Sequence, residues 1–170
     1  PHWAEGDYDF WRRNDIIHAG LEHMVRFVGA RKDVAPYFHA ADVFLSLSRL
    51  DPFPCVVLEA MAAGLPVVLF DTVNGAAEAV QHDAGFSVPF LDLGAVAAKL
   101  ELLCDHPDLR CEMGKRARAR VKDEYDFEEY LAKILALVCS DLGWSGLDLR
   151  SWAEDRIAAG AADVPAKVFV

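Results

Sequence analysis

The residues able to do chemistry crowd into one stretch, Asp51-Pro52-Phe53-Pro54-Cys55-Val56-Val57-Leu58-Glu59, closed by Gly64 and Pro66. Pro52 and Pro54 forbid a regular strand, and Pro54 suits the first residue of a helix running from Cys55 to Ala63, with Gly64 as its left-handed stop. The start of a helix presents unpaired backbone N–H groups and the positive end of the helix dipole, a site for phosphate. Pro54 carries no N–H, so Cys55 and Val56 are the candidate donors. Glu59, one turn in, can accept two hydrogen bonds from a vicinal diol such as a ribose, and Asp51 in the preceding loop can do the same for a second sugar. A helix end flanked by two carboxylates suits a diphosphate with a sugar at each side, which is the description of a nucleotide-sugar.

Short, β-branched, non-alternating apolar runs separated by helical patterns must position this stretch. The strands are expected at Val25–Gly29, Val43–Leu47, Val67–Phe70 and Phe86–Val88. Residues 1–14 read as a loop and Asp15–His23 as a short helix, and Asp33 with Pro36 opens another that carries Tyr37 and Phe38. A helix near Ala76–His82 follows the turn Asp71-Thr72-Val73-Asn74-Gly75. Three longer amphipathic helices close the pattern, capped by Asp92, Asp108 and Asp126, the last with Phe127, Tyr130, Leu131, Ile134, Leu135 and Val138 along one side. The basic run from Lys115 to Arg120 reads as the solvated face of the second of them. A further helix fits Ser151–Ala159 in a tail that carries no motif. The fold class is α/β, a doubly wound parallel sheet of the Rossmann-like kind followed by C-terminal helices. In such sheets ligands bind outside the carboxyl ends of the strands, where the loop Ser48–Pro54 falls.

Composition limits the alternatives. The chain has 170 residues, 54% of them hydrophobic, with 17 basic against 27 acidic side chains and a formal net charge of −10. A strongly acidic domain is a poor binder of nucleic acid or of an anionic membrane surface, so a phosphate-bearing ligand must be held by local geometry. No apolar run reaches the ~20 residues needed to span a bilayer. Cys55, Cys104, Cys111 and Cys139 form no CxxC pair, and the six histidines show no metal spacing, so no metal site is expected and the thiols suit a reducing compartment. Pro1 stands where an unprocessed reading frame has Met, so the sequence reads as part of a longer polypeptide. No GxGxxG follows a strand, which sets aside a dinucleotide-dependent oxidoreductase.

The string from Asp51 to Val68 resembles the E-x7-E signature of the GT-B glycosyltransferases, in the large retaining "group 1" family. The resemblance extends to Val25-Arg26-Phe27-Val28-Gly29-Ala30-Arg31, to Ala40–Leu45 and to Asp71–Val80, and covers roughly residues 25–138. It implies a GT-B C-terminal, donor-binding domain over residues 25–139, with 1–24 as a loop and helix remnant and 140–170 as an unassigned tail. By this resemblance Asp51 contacts the donor sugar as the catalytic acidic residue and Glu59 holds the nucleotide ribose. The backbone at Phe53, Pro54, Cys55 and Val56 faces sugar and diphosphate, Gly29 and Arg31 lie near the base, and Asn74 and Gly75 line the donor-sugar pocket.

The activity implied is transfer of a hexose from a nucleoside-diphosphate sugar to an acceptor hydroxyl in polysaccharide biosynthesis, with anomeric configuration kept and neither cofactor nor metal. The implied partner is an N-terminal acceptor domain outside this sequence, and the implied location is the cytoplasm, with any attachment to the inner membrane left to that domain. Two departures from the family pattern leave a catalytically silent binding or scaffold module as the alternative. Asp51 replaces the more usual Glu, and the Arg and Lys that neutralise the diphosphate have no counterpart beyond Arg12 and Arg13. Two strands of the family sheet are also absent before Val25, so the sheet is expected to be incomplete, with a gap between Val25–Val28 and Val43–Leu47 that other residues must fill.

Overall fold

The computed structural model describes the backbone of residues 5–80 and 83–141, and the side chains from Phe10 onward in those ranges. The chain divides into two compact units, Pro1–Pro36 and Tyr37–Val170. The helix expected at Ser151–Ala159, and the end of the helix expected at Ala76–His82, lie outside the described residues.

In the first unit, α1 (Glu5–His18) occupies most of the segment expected to be loop. Among its described large apolar side chains Phe10, Trp11 and Ile17 are exposed and Ile16 is half-buried, so no fully buried face among the described residues imposed a helical period on the sequence. The helix also ends at His18, short of the expected His23: Gly20 adopts a left-handed φ of +69°, Gly20 N donates to Ile17 O and Leu21 N to Ile16 O, the paired bonds of a glycine-terminated helix. The expected strand Val25–Gly29 is not one. Met24 and Val25 instead continue a turn by donating to Leu21 O, and the apolar run has no pairing strand among the described residues. A strand exists only where a neighbour meets its N–H and C=O groups, so a run of β-branched residues is insufficient by itself. Arg12 and Arg13 lie over the Phe27 ring, 5.7 and 4.6 Å from its centroid.

From α2 (Ala35–Ala40), entered through a hydrogen bond from Ala35 N to the Asp33 carboxylate, the chain builds a parallel sheet of β1 (Phe44–Ser46), β2 (Val67–Phe70) and β3 (Gly85–Val88) in the order β1-β2-β3. Between them lie α3 (Cys55–Ala62) and α4 (Ala77–Val80); α5 (Leu93–Asp105), α6 (Pro107–Glu124) and α7 (Phe127–Asp141) follow. The sheet is small, as expected, and β1 pairs on one side with β2.

All four residues of β2 are buried, and their alternation serves two faces. Val67 and Leu69 meet Val57 and Met61 of α3, Ala79 and Val80 of α4 and Ala117 of α6, while Val68 and Phe70 meet Val96 and Leu103 of α5 and Met113 of α6. Each such side chain contributes roughly 1.5–3 kcal/mol through burial, so this strand anchors both layers.

The helix termini show where local signals suffice. Asp92 Oδ1 accepts from Ala95 N at 2.8 Å and Asp126 Oδ1 from Glu129 N at 2.9 Å, as capping residues do. Asp108 is not a cap: His106 takes that place, Pro107 is the first helical residue and Asp108 lies in the first turn, where Pro107 preempts the start. Likewise Pro54 caps α3 from an extended conformation (ψ 109°) and the helix begins at Cys55. Gly64, at φ +87°, ends α3 with Leu65 N donating to Ala60 O. In the basic run Lys115, Arg116 and Arg118 are exposed, but Arg120 is not solvated as expected; it bonds the Ala79 carbonyl at 3.1 Å and the Asp83 carboxylate at 3.1 Å, tying α6 to the end of α4. The apolar side of α7 carries no buried residue.

Two packing details lead to measurements. A Cβ on Gly114 would run into the Gly64 carbonyl, because α6 crosses the end of α3 in direct backbone contact. Gly114→Ala is therefore expected to cost about 2 kcal/mol through overpacking, read as a fall in thermal midpoint; an unchanged midpoint would refute the contact. Tyr125, whose ring lies 6.0 Å from that of Phe53, has its pKa raised above the usual 10.0, first by burial and then by the Glu78 and Glu124 carboxylates. The folded state thus favours the neutral phenol, and this contribution is complete below pH 10.0 and lost as pH rises through the raised value. Tyr125→Phe should make the loss of thermal stability above that pH shallower than in the unmodified protein, whereas an identical slope would refute the linkage.

Candidate functional site

Strand direction places the chemistry. The three strands are parallel, so the segment after β1 (residues 47–54) and the segment after β2 (residues 71–76) leave the same carboxyl edge. There they are joined backbone to backbone. Asp51 N donates to Val73 O at 3.0 Å and Gly75 N donates to Asp51 O at 3.2 Å, a parallel bridge between Asp51 and Asn74. The contact is close enough that any side chain on Gly75 would overlap the Pro52 carbonyl. The second loop is also tied to β3 by Asp71 N donating to Val88 O at 2.8 Å. It contains a β-branched residue, Thr72, at a φ of +59°, a conformation such residues avoid and that its surroundings must impose.

Asp51 is thereby held, half-buried, by its own backbone. From it the chain runs through exposed Pro52, half-buried Phe53 and buried Pro54 into α3. Phe53 packs against the core cluster beside Tyr125 and pins this entry. Pro54 offers no side-chain cap, and the amides of Cys55 and Val56 begin the helix with no carbonyl one turn behind them. Val57, Ala60 and Met61 face the core, leaving Cys55, Val56, Glu59 and Ala62 exposed on the other side. Cys55 and Glu59 are one turn apart on that side, and helical side chains lean toward the N-terminus, so Glu59 leans toward the start of α3. Glu59 is not packed into the core, a condition on which any ligand role depends.

Asn74, by contrast, is 3% exposed and its amide is occupied at both ends: Nδ2 donates to Ser46 Oγ at 3.3 Å and Oδ1 accepts from Ala76 N at 3.0 Å. Ser46, the last residue of β1 and 7% exposed, was not among the residues singled out from sequence. A signal for it existed, since a hydroxyl within the apolar run Val43–Leu47 must find a partner if buried. Arg49 is exposed in the loop after β1, and Glu78 is exposed on α4. Gly29, with a φ of +68°, and exposed Arg31 belong to the first compact unit and lie there in irregular backbone, not in a hydrogen-bonded turn. The structure thus gathers Asp51, Phe53, Pro54, Cys55, Val56, Glu59, Asn74 and Gly75 around one sheet edge of the second unit. Two open hollows lie elsewhere, around Leu102–Leu109 at the α5–α6 junction and among Asp42, Pro66 and Arg110 near the amino end of the sheet. Among the described residues no group of three His, Cys, Asp or Glu side chains could hold a metal ion, and no helix is long and apolar enough to cross a membrane.

This arrangement has counterparts. The chain is similar to N-acetyl-alpha-D-glucosaminyl L-malate synthase of Bacillus anthracis, 33% identical over 114 residues that make up 66% of this chain and 30% of that protein. Among solved structures it is similar to sucrose-phosphate synthase from Thermosynechococcus elongatus, with a TM-score of 0.76 and 28% identity over 85% of this chain and 37% of that one. It is also similar to Anabaena HepE in complex with UDP-glucose, with a TM-score of 0.75 and 27% identity over 81% of this chain and 38% of that one. The chain therefore spans about a third of the length of the relatives it matches. Its parallel sheet with helices on both faces is the Rossmann-like domain of the GT-B fold. The profile described as "Glycosyl transferases group 1" matches residues 5–120, and the chain belongs to that family.

Proposed function

We propose that this chain is the donor-binding part of a glycosyltransferase that moves a hexose from a nucleoside-diphosphate sugar to an acceptor hydroxyl and keeps the anomeric configuration. The observation that carries this reading is the meeting, at one carboxyl sheet edge, of the start of α3, which has no side-chain cap, with Asp51 fixed in the loop before it and exposed Glu59 one turn into the helix. In a domain of net charge −10, a diphosphate needs local N–H donors and not a general positive field. The amides of Cys55 and Val56 supply them, so the reading requires no metal. Glu59 accepts hydrogen bonds from the ribose and Asp51 from the donor sugar, while the backbone at Phe53 and Pro54 and at Asn74 and Gly75 shapes the sugar pocket. The similarity to a structure that carries UDP-glucose supports the class of donor.

Catalysis in this reading is positioning plus electrostatic stabilisation. As the bond from the sugar C1 to the diphosphate oxygen breaks, the developing negative charge is stabilised by the amide-rich helix start, and the acceptor oxygen bonds to C1 while its proton passes to the departing diphosphate. The acceptor and its binding surface belong to a further domain of the full-length protein. The site is open on this chain, and that domain would close it and exclude water. Free thiols at Cys55, Cys104, Cys111 and Cys139 support a reducing, cytoplasmic setting.

A binding or scaffold module without turnover is the second reading, favoured by Asp51 where the family more often has Glu. Turnover of a bound nucleotide-sugar by the full-length protein separates the two. For the donor reading itself, calorimetric titration of the full-length protein with UDP and GDP should show binding of at least one. Glu59→Ala should raise its dissociation constant at least about tenfold, a loss of ~1.4 kcal/mol. Equal affinity of the variant would remove the ribose role from Glu59.

A further inference from the structure

We propose that Asn74 and Ser46 form a positioning pair for Asp51, acting from beneath the site and not on the ligand. The inference rests on the donor reading above for what Asp51 contacts, but the geometry stands apart from it. Asn74 is 3% exposed and Ser46 7%, so neither side chain is open to a ligand at the surface. Both functional ends of the Asn74 amide are engaged, Nδ2 donating to Ser46 Oγ and Oδ1 accepting from Ala76 N. The first bond ties the loop after β2 to the last residue of β1, and the second sets the turn that leads into α4.

The same loop residue is the bridge partner of Asp51. Val73 O accepts from Asp51 N and Gly75 N donates to Asp51 O, so the neighbours of Asn74 on either side hold the Asp51 backbone. Ser46 and Asp51 thus flank one segment, residues 47–50, whose two ends are both fastened to the 73–75 loop. Between those fastenings Leu47 packs half-buried against the core, whereas Ser48, Arg49 and Leu50, the three residues next to Asp51, are exposed, Leu50 at 84%. Without the Ser46–Asn74 bond, the buried amide is left with an unsatisfied donor, and the loop can relieve it only by moving. Such movement carries Asp51 with it. The start of α3 is held separately, by Val57, Ala60 and Met61 in the core.

This separation gives a readout that a general loss of stability would not. In the full-length protein, Ser46→Ala and Asn74→Ala should each weaken UDP-glucose about tenfold in calorimetry while changing the affinity for UDP alone by less than about twofold. UDP lacks the sugar that Asp51 contacts. The double variant should lose no more than Asn74→Ala alone, because that substitution already removes the Ser46–Asn74 bond together with the bond from Ala76 N. Ser46→Thr, which keeps the hydroxyl, should restore UDP-glucose binding. Parallel losses of UDP and UDP-glucose would mean a merely structural pair and overturn the proposal, as would unchanged UDP-glucose binding. Should the unmodified protein bind no UDP-glucose, the donor reading is tested by that result alone. The positioning claim is then read from amide hydrogen exchange: faster exchange at Asp51 and Gly75 in Ser46→Ala upholds it, and unchanged exchange overturns it.

Discussion

The burial of β2 on both faces is the constraint from which the rest follows. Val67, Val68, Leu69 and Phe70 have no solvent side, so the strand requires cover above and below. It recruits α3, α4 and part of α6 on one face and α5 with another part of α6 on the other. A parallel strand so enclosed presents little to a ligand along its length, and the polar groups of the chain can converge where the strands end. That is where the loops after β1 and β2 meet. The geometry of the candidate site is therefore a consequence of how the core is filled.

The residues gathered at that edge form a candidate binding surface with no cationic side chain among them. The start of α3 is a fixed array of N–H groups, held in place by the core residues of the same helix and by Phe53 at its entry. Two carboxylates beside an anion site would be unfavourable if they served the anion, but not if they serve the hydroxyls on either side of it. The overall acidity reinforces the point, because long-range attraction is absent and specificity is left to short-range geometry. The strained Thr72 and the tight approach of Gly75 to Pro52 show that backbone placement in these loops is enforced at some cost.

Much of this was legible from sequence where the controlling interaction is local. Pro54, Gly64, Asp92 and Asp126 mark helix ends because capping depends on residues within a turn of each other. The string from Asp51 to Val68 carried both the helix start and the family resemblance. The reading failed where a local pattern needed a distant partner or lacked a buried face. Among the described residues Val25–Gly29 has strand-forming residues but no adjacent strand, α1 has no fully buried face to betray its period, and Arg120 looked solvated until Asp83 and the Ala79 carbonyl came beside it.

The sequence by itself thus determined the class of the fold and the family and marked the stretch that forms the candidate site, since periodicity, capping and turn chemistry are written in neighbouring residues. Only the tertiary structure decided that Asn74 is an internal support and not an exposed contact, and that Ser46 is its partner. These two residues are 28 positions apart, and what joins them is the parallel pairing of β1 with β2, a non-local contact. Whether a polar side chain meets ligand or holds the backbone that does depends on burial and on which hydrogen bonds are already taken, and both are properties of the packed chain.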